Sequence, residues 1–479
     1  VKVLFVASEV FPLVKTGGLA DVAGSLPAVL TQEGVDIRVL LPAYQSVLED
    51  ADGFSLAGEM ELAGTGVRIL EGRLPDTGMA VWLLQHSTFS DRPGNPYQDE
   101  HGNPWPDNAD RFMLLSRLAA AIATGDSPLG WQPDVLHCND WHTGPAIALV
   151  HQREHRPRTV FTIHNLAHMG IFDRATFDRL HLPEHLWHDG SLEFYGQMSF
   201  MKAALVFVDH ITTVSPTYAR EICESPGGMG MEGLLSHRRQ HLVGILNGID
   251  NRVWDPATDP HLEYHYDAQS LQQKGENKRA LREALGLAQS EDRPLIGFIG
   301  RLAEQKGLEL ILPVLGDIFD CPAQLVLLGT GESRYEHELG ARAAAHPGAM
   351  AVVLAYNETL AHRIEAAADI FLMPSLFEPC GLNQLYSLRY GTPPLVRAVG
   401  GLADTVIDAS AENLAAGTAT GFVFSAPDPG ALIDTVRRAV DRWRDRESWE
   451  KIQSTAMQQD FSWQQSARHY LELYRSGNH

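Results

Sequence analysis

An α/β protein with parallel sheets, made of two similar halves, is what this 479-residue sequence predicts. Three observations carry that expectation. Short β-branched runs alternate with longer helical patterns along the chain, which is the rhythm of βα units. Most of those runs are apolar at every position, as strands covered on both faces require. The pentapeptide Gly17-Gly-Leu-Ala-Asp21 returns as Gly400-Gly-Leu-Ala-Asp404, each copy after a strand and before a helical pattern.

Strands are expected at residues 3–7, 37–41, 135–137, 159–163 and 211–214, and again at 295–299, 325–328, 351–354, 370–373 and 394–396. Helical patterns lie between them at 19–32, 109–123, 277–285 and 431–443. Residues 88–108 form a long loop of Pro, Gly, Asn and aromatics, Tyr97 and Trp105 among them. Loops of that length inside a compact domain are functional or disordered. Asn247-Gly-Ile-Asp250 closes one series, 255–268 is polar and weakly periodic, and a new series starts near Leu295. The expected division is a Rossmann-like domain over 1–246, a hinge or linker over 247–275, a second Rossmann-like domain over 276–456 and a last segment over 457–479.

Lys and Arg number 38 against 60 Asp and Glu, a formal charge of −22 that repels nucleic acid. With 44% apolar and 20% charged residues the composition is that of a soluble globular protein. No apolar stretch approaches the length of a membrane span, and the opening run before Glu9 is too short for a signal-peptide core. Cys138, Cys223, Cys321 and Cys380 form no C-x-x-C pair, so reduced thiols in a cytoplasm are expected.

In open α/β sheets ligands bind beyond the carboxyl ends of the strands, so the residues that follow each strand are the candidates. They are Lys15-Thr-Gly-Gly18, Asn139-Asp140-Trp141-His142, His164-Asn165, Gly300-Arg301 with Lys306-Gly307, and Glu378 with Cys380-Gly-Leu-Asn383-Gln384. Arg301 and Lys306 are spaced to reach one anionic group, a planar fork and a point charge that suit a diphosphate; the plain alternative is a solvated loop. Gly381 is expected to open a helix whose free N–H groups meet a phosphate or hydroxyl. Glu378 can accept from sugar hydroxyls or stabilise positive charge, or merely cap that helix. His164 and His142 are either strand-end ligands or satisfied core histidines, and Trp141 offers a flat face for a sugar.

Other patterns are weaker. Gly329-Thr-Gly331-Glu-Ser-Arg334 looks like a dinucleotide fingerprint, but Arg334 replaces the third Gly and the next strand leads into Tyr356 rather than an acid. His181, His185 and His188 are broken up by Pro183 and read as solvated. The D-x-D at Asp50 and Asp52 lies in a polar loop, and there is no P-loop or G-x-S-x-G elbow.

Taken together, Lys15-Thr-Gly-Gly-Leu-Ala-Asp-Val22, His164-Asn-Leu-Ala167, Asn247-Gly-Ile-Asp250, Gly300-Arg-Leu302 with Gln305-Lys-Gly307, Pro374-Ser-Leu-Phe-Glu-Pro-Cys-Gly-Leu382, Tyr390-Gly-Thr392 and Phe461-Ser-Trp463 resemble bacterial glycogen synthases and plant starch synthases. The resemblance runs through essentially the whole chain. It implies two Rossmann-like domains whose parallel sheets face a deep cleft, the GT-B arrangement, with a C-terminal helix crossing back to the first domain. It implies transfer of glucose from ADP-glucose to the non-reducing end of an α-1,4-glucan (glycogen or a malto-oligosaccharide), with retention and without a metal or cofactor. It implies that Arg301 and Lys306 hold the diphosphate, helped by Lys15, Gly18, Asp21 and the backbone of Cys380, Gly381, Leu382 and Asn383. His164, Asp140, Asn247 and Glu378 would surround the donor glucose, Tyr356 would face the adenine and Tyr97 would meet the acceptor.

Two positions depart from wider patterns. Tyr386 stands where many retaining transferases of this architecture carry a second Glu, as the synthase branch commonly does, and Asn383 replaces a Thr found in some bacterial members. No residue is an evident covalent nucleophile, which favours front-face attack with the leaving phosphate accepting the acceptor proton, and with domain closure around 247–250 drying the site. The rivals are a transferase of the same architecture using UDP-glucose, and a non-catalytic two-domain glucan-binding protein. Against the second, a neutral glucan has no use for an Arg–Lys clamp.

Overall fold

The structure is a computed structural model, and it describes residues 1–49, 52–188 and 190–476. Asp50 of the D-x-D lies outside the described residues. The chain forms two compact units, Val1–Gly248 joined by the segment from Trp463 onward, and Ile249–Ser462.

The first unit's strands are β1 (Lys2–Val6), β2 (Asp36–Pro42), β3 (Ser55–Leu62), β4 (Thr65–Arg73), β5 (Ala80–Gln85), β6 (Val135–Asn139), β7 (Arg158–Ile163), β8 (Ile171–Phe172), β9 (Glu193–Phe194), β10 (Gln197–Ser199), β11 (His210–Thr213) and β12 (Leu242–Gly244). Nine of them make one sheet in the order β12-β11-β7-β6-β1-β2-β5-β4-β3, and β8, β10 and β9 make a small antiparallel one. Val3, Leu4, Phe5 and Val6 of β1 are all fully buried, as a central parallel strand demands. β3 and β4 form an antiparallel extension that the apolar-run criterion does not detect. β3 is largely exposed and β4 alternates buried with exposed positions over part of its length, so no continuous apolar run marks them.

The last helix, Trp463–Arg475, buries Trp463, Ser466, Ala467, Tyr470 and Tyr474, a single stripe at helical spacing, and belongs to the first unit. Tyr474 pairs its hydroxyl with His137 Nδ1 at 2.6 Å, Tyr470 stacks on the same imidazole, and Ser466 Oγ donates to the Leu246 carbonyl at 2.5 Å. Burial holds His137 neutral, its pKa lowered to about 3.

The second unit carries β13 (Leu295–Ile299), β14 (Gln324–Leu328), β15 (Met350–Val353), β16 (Ile370–Met373), β17 (Pro394–Arg397) and β18 (Phe422–Phe424), parallel throughout in the order β15-β14-β13-β16-β17-β18. Residues 249–271, expected as hinge or linker, contribute Ile249, Trp254, Leu262 and Tyr266 to a core shared with Ala366, Leu385, Tyr386, Tyr390 and Met457. The apolar residues of this stretch are too widely spaced to show a period.

Both sheets reverse their strand order beside the first strand of the unit. The switch lies between β1 and β6 in the first unit and between β13 and β16 in the second. At such a point adjacent loops leave in opposite directions and open a crevice at the carboxyl ends.

Candidate functional site

In the first unit the loops after β1 and β6 flank the switch. Glu9 follows β1, is only 3% exposed, and gathers four donors. It accepts from Thr16 N at 2.5 Å, Thr16 Oγ1 at 2.6 Å, Gly17 N at 3.1 Å and the Tyr97 hydroxyl at 2.5 Å. Ser8 Oγ lies 2.8 Å from the same hydroxyl. Glu9 thereby ties the Lys15–Gly18 loop to Tyr97, two features the sequence placed 80 residues apart. Burial, then the Glu9 charge, pushes the Tyr97 phenol up. No motif contains Glu9; its position just past a buried strand was the available signal.

The long loop that carries Tyr97 is ordered by side chains. Buried Arg111 donates to the carbonyls of Thr88 (3.0 Å) and Pro96 (2.9 Å), and Arg92 forms a bidentate pair with Asp107. Lys15 Nζ meets Asp21 at 2.9 Å, across the first turn of the helix Gly18–Gln32. Gly17 precedes that helix in an extended conformation, and a Cβ built there meets nothing within 4 Å.

Asp140 adopts φ 56° and ψ 177°, a region that side-chain-bearing residues avoid. Strain of this kind is tolerated where surrounding structure demands a fixed direction. Here the Asp140 carboxylate accepts from the backbone N–H of His164 at 2.7 Å. Burial raises its pKa to about 7, opposed by the backbone donors of His164 and Asn165 and aided by the Glu9 charge. His164 Nε2 lies 2.9 Å from Asn139 Oδ1, while Asn139 Nδ2 donates to the Val6 carbonyl at 3.0 Å. The amide oxygen is therefore the acceptor, so His164 carries its proton on Nε2 and keeps Nδ1 as a lone pair. Burial lowers its pKa to about 3, so the imidazole is neutral. His142 stacks on Tyr97 with centroids 4.7 Å apart, and its Nδ1 is buried without a hydrogen bond. Trp141, expected as a sugar platform, is ringed by Phe112, His142, Phe172 and Phe200. Asn247, beyond β12, is buried and its Oδ1 has no hydrogen-bond partner, an open acceptor.

In the second unit the loops after β13 and β16 flank the switch and are laced together. Leu376 N donates to the Gln305 carbonyl at 2.8 Å and Gln305 Nε2 to the Phe377 carbonyl at 3.2 Å. Gly307, at φ 75°, lets the first loop pass close to Pro374; a Cβ there would lie 2.1 Å from the Pro374 oxygen. That contact delivers Lys306 to Glu378, Nζ to Oε2 at 2.6 Å, with Ser375 Oγ donating to the same oxygen at 2.9 Å. Arg301 is exposed, with Nη2 3.5 Å from Gln305 Oε1, so it and Lys306 do not share a protein partner.

Gly381 has φ 75° and leads into the helix Asn383–Arg389, so the helix opens two residues later than expected. Asn383 Nδ2 donates to the Ile299 carbonyl at 2.8 Å, which fastens this helix to the end of β13. Cys380 is buried and Leu382 packs partly on the adjacent core. Gly400 and Gly401 have a packing role. Cβ atoms there would lie 1.9 Å from the Glu378 oxygen and 2.0 Å from the Cys380 oxygen, and Gly401 N donates to Glu378 O at 3.1 Å. The repeated pentapeptide thus serves different ends, open space at Gly17 and close support of the Glu378 loop at Gly400.

Tyr356 follows β15, two strands from β13, so it stands roughly 10 Å to the side of the switch. It is 77% exposed and donates to Glu358 Oε2 at 2.9 Å. The glycines of the apparent dinucleotide fingerprint belong to packing. Cβ atoms at Gly329 and Gly331 would lie 1.9 Å and 2.1 Å from the Gly300 and Leu302 oxygens. His185 and His188 bond to Gln152 and Gly190, and among the described residues neither joins a cluster of metal-ligating side chains. The four cysteines are free thiols, and among the described residues no helix is long and apolar enough to cross a membrane.

Comparison with known proteins agrees with this arrangement. A family described as the starch synthase catalytic domain matches residues 2–237, and one described as glycosyl transferases group 1 matches 282–455. The chain is 51% identical over 474 residues to glycogen synthase 1 of Methylococcus capsulatus, covering 99% of this chain and 96% of that protein. It is 50% identical to the glycogen synthase of Cellvibrio japonicus, covering 98% of each. The solved catalytic domain of starch synthase IV from Arabidopsis thaliana, bound to ADP and acarbose, superposes with a TM-score of 0.88 at 32% identity, covering 98% of each chain. With two α/β units, the GT-B fold and this likeness along its full length, the chain belongs to the bacterial glycogen synthases, a family of glycosyltransferases.

Proposed function

We propose that this enzyme transfers glucose from ADP-glucose to the non-reducing end of an α-1,4-glucan, glycogen or a malto-oligosaccharide, with retention of configuration. The observation that carries the reading is the Lys306–Glu378 pair at the strand-order switch of the second unit, with Arg301 exposed on the same loop. Cleavage of the donor places positive charge on the anomeric carbon and negative charge on the departing diphosphate. Arg301 and Lys306 stabilise the second, with backbone N–H groups of 380–383 and with Lys15, held by Asp21, in support. Glu378 and Asp140 stabilise the first, and His164 and Asn247 offer Nδ1 and Oδ1 as acceptors for sugar hydroxyls. Tyr356 stacks on the base and Tyr97 receives the acceptor. The acceptor hydroxyl attacks from the face the phosphate leaves, and the departing phosphate oxygen takes its proton. The four free thiols support a cytoplasmic location.

Incorporation of labelled glucose into glycogen, from ADP-glucose and from UDP-glucose and with a chelator present, tests this. ADP-glucose is expected to be turned over faster by at least tenfold. Equal or faster turnover of UDP-glucose overturns the assignment of the base, and trapping of a glucosyl ester on a carboxylate overturns the front-face route.

A further inference from the structure

His362 is fully buried, on the helix Glu358–Ala367, and both of its ring nitrogens face carboxylates. Nδ1 lies 2.7 Å from Asp259 Oδ2 and Nε2 lies 3.7 Å from Glu358 Oε1, one helical turn before it. The ring is clamped face to face on Trp254, centroids 3.7 Å apart at 10°, and Trp254 stacks in turn on Tyr386 at 3.7 Å. Asp259 is locked as well, since the Tyr390 hydroxyl donates to the same Oδ2 at 2.5 Å and His261 N donates to Oδ1 at 2.8 Å. The other groups around the imidazole are the His261 ring, tilted 4.5 Å away with its Nδ1 3.1 Å from Thr359 Oγ1, and Tyr390, whose hydroxyl lies 3.4 Å from Nδ1. Asp259, His261 and His362 bring one heteroatom each within 4.8 Å of the others. Because Asp259 already accepts from both His362 and Tyr390, the group is a hydrogen-bonded cluster. At its outer end Glu358 holds the hydroxyl of exposed Tyr356.

We propose that Asp259, His362 and Glu358 form a relay that positions Tyr356 for the base of the donor nucleotide, with His362 as its buried anchor. The inference rests on the reading that Tyr356 meets that base. An exposed tyrosine explores many orientations and loses them when a base stacks on it. A hydroxyl tethered to a carboxylate, and a carboxylate opposed by an imidazolium, remove much of that freedom beforehand. The hydrogen bond to Asp259 and the nearby Glu358 carboxylate raise the His362 pKa against the effect of burial, so the imidazolium persists to higher pH than in a free histidine. Above its pKa the hold on Glu358 weakens, and so does the tether on Tyr356.

Steady-state kinetics of the full chain test the relay. Tyr356→Phe and Glu358→Gln change only the outer, solvent-facing end and so avoid the buried cluster. Each is expected to raise KM for ADP-glucose about three- to tenfold with kcat and the glucan KM unchanged. The double variant is expected to be no worse than either single one. The donor KM of the unaltered enzyme is expected to climb with pH above the histidine range, and that climb is expected to vanish in both variants. A wild-type donor KM in Tyr356→Phe and Glu358→Gln, combined with a raised one in Tyr356→Ala, overturns the relay and leaves the site reading intact. A wild-type donor KM in Tyr356→Ala overturns the placement of the base, and the relay with it.

Discussion

Lys306 Nζ donates to Glu378 Oε2 at 2.6 Å, and the two side chains reach each other from loops that follow different strands. The pair holds a cation and a carboxylate side by side at the switch point, and on the proposed reading an arriving diphosphate would compete for the lysine and release Glu378 toward the sugar. Lys306→Ala is expected to lower kcat/KM for ADP-glucose about 100- to 1,000-fold. Glu378→Gln keeps the shape and the Ser375 contact but loses the charge, so kcat is expected to fall by a similar factor without a rise in donor KM. Undiminished glucan elongation by either variant removes the pair from the mechanism.

Asp140 titrates at about 7 in the folded chain because it is buried, against about 3.8 when exposed. If its carboxylate faces the cation-like sugar, kcat/KM falls as pH drops below about 7. The stability effect has the opposite sense. Between pH 3.8 and 7 the folded state binds the proton more tightly than the unfolded one, so this group's contribution is complete below 3.8 and is lost as pH rises toward 7. Urea unfolding of Asp140→Asn across that range is expected to show a shallower decline than the unaltered chain.

Glu9 is an acceptor for four donors, and a glutamine cannot replace it, because one end of its amide is itself a donor. Glu9→Gln is expected to loosen Tyr97 and the Lys15 loop together, raising the glucan KM and lowering kcat/KM about tenfold. Kinetics equal to the unaltered enzyme count against Glu9 as the link between the two loops.

The two copies of the repeated glycine pair are expected to respond differently. Gly400→Ala pushes a methyl group against the Glu378 carbonyl and forces φ 42° on a side-chain-bearing residue, costing about 2–4 kcal/mol of stability along with activity. Gly17→Ala has open space and an ordinary extended backbone, so its urea midpoint is expected to stay put while turnover falls. A large loss of stability from Gly17→Ala contradicts its reading as a site for close ligand approach.

Tyr474→Phe removes the hydroxyl that pairs with buried His137 and leaves a ring nitrogen without its partner. A cost of about 1–2 kcal/mol is expected. Truncation before Trp463 exposes the whole face beneath the last helix and is expected to give a first unit that no longer unfolds cooperatively by circular dichroism.

The amino-acid sequence by itself determined the parallel architecture and the strand-end positions of the candidate site. A buried parallel strand must be apolar on both faces, so β1, β6, β13 and β16 are visible as runs, and the polar residues just after them are candidates by position alone. Arg301, Lys306, Glu378, Asp140 and His164 were legible in that way. Side chains whose partners lie far along the chain were not. Glu9 acquires meaning only when Tyr97 is folded onto it, Asn139 only when it turns His164, and His362 only when Asp259 and Trp254 close around it from about 100 residues away. The same holds for glycine. Identical letters at Gly17 and Gly400 describe an open approach and a crowded one, because what a missing Cβ permits depends on which backbone lies opposite, and tertiary packing alone decides that.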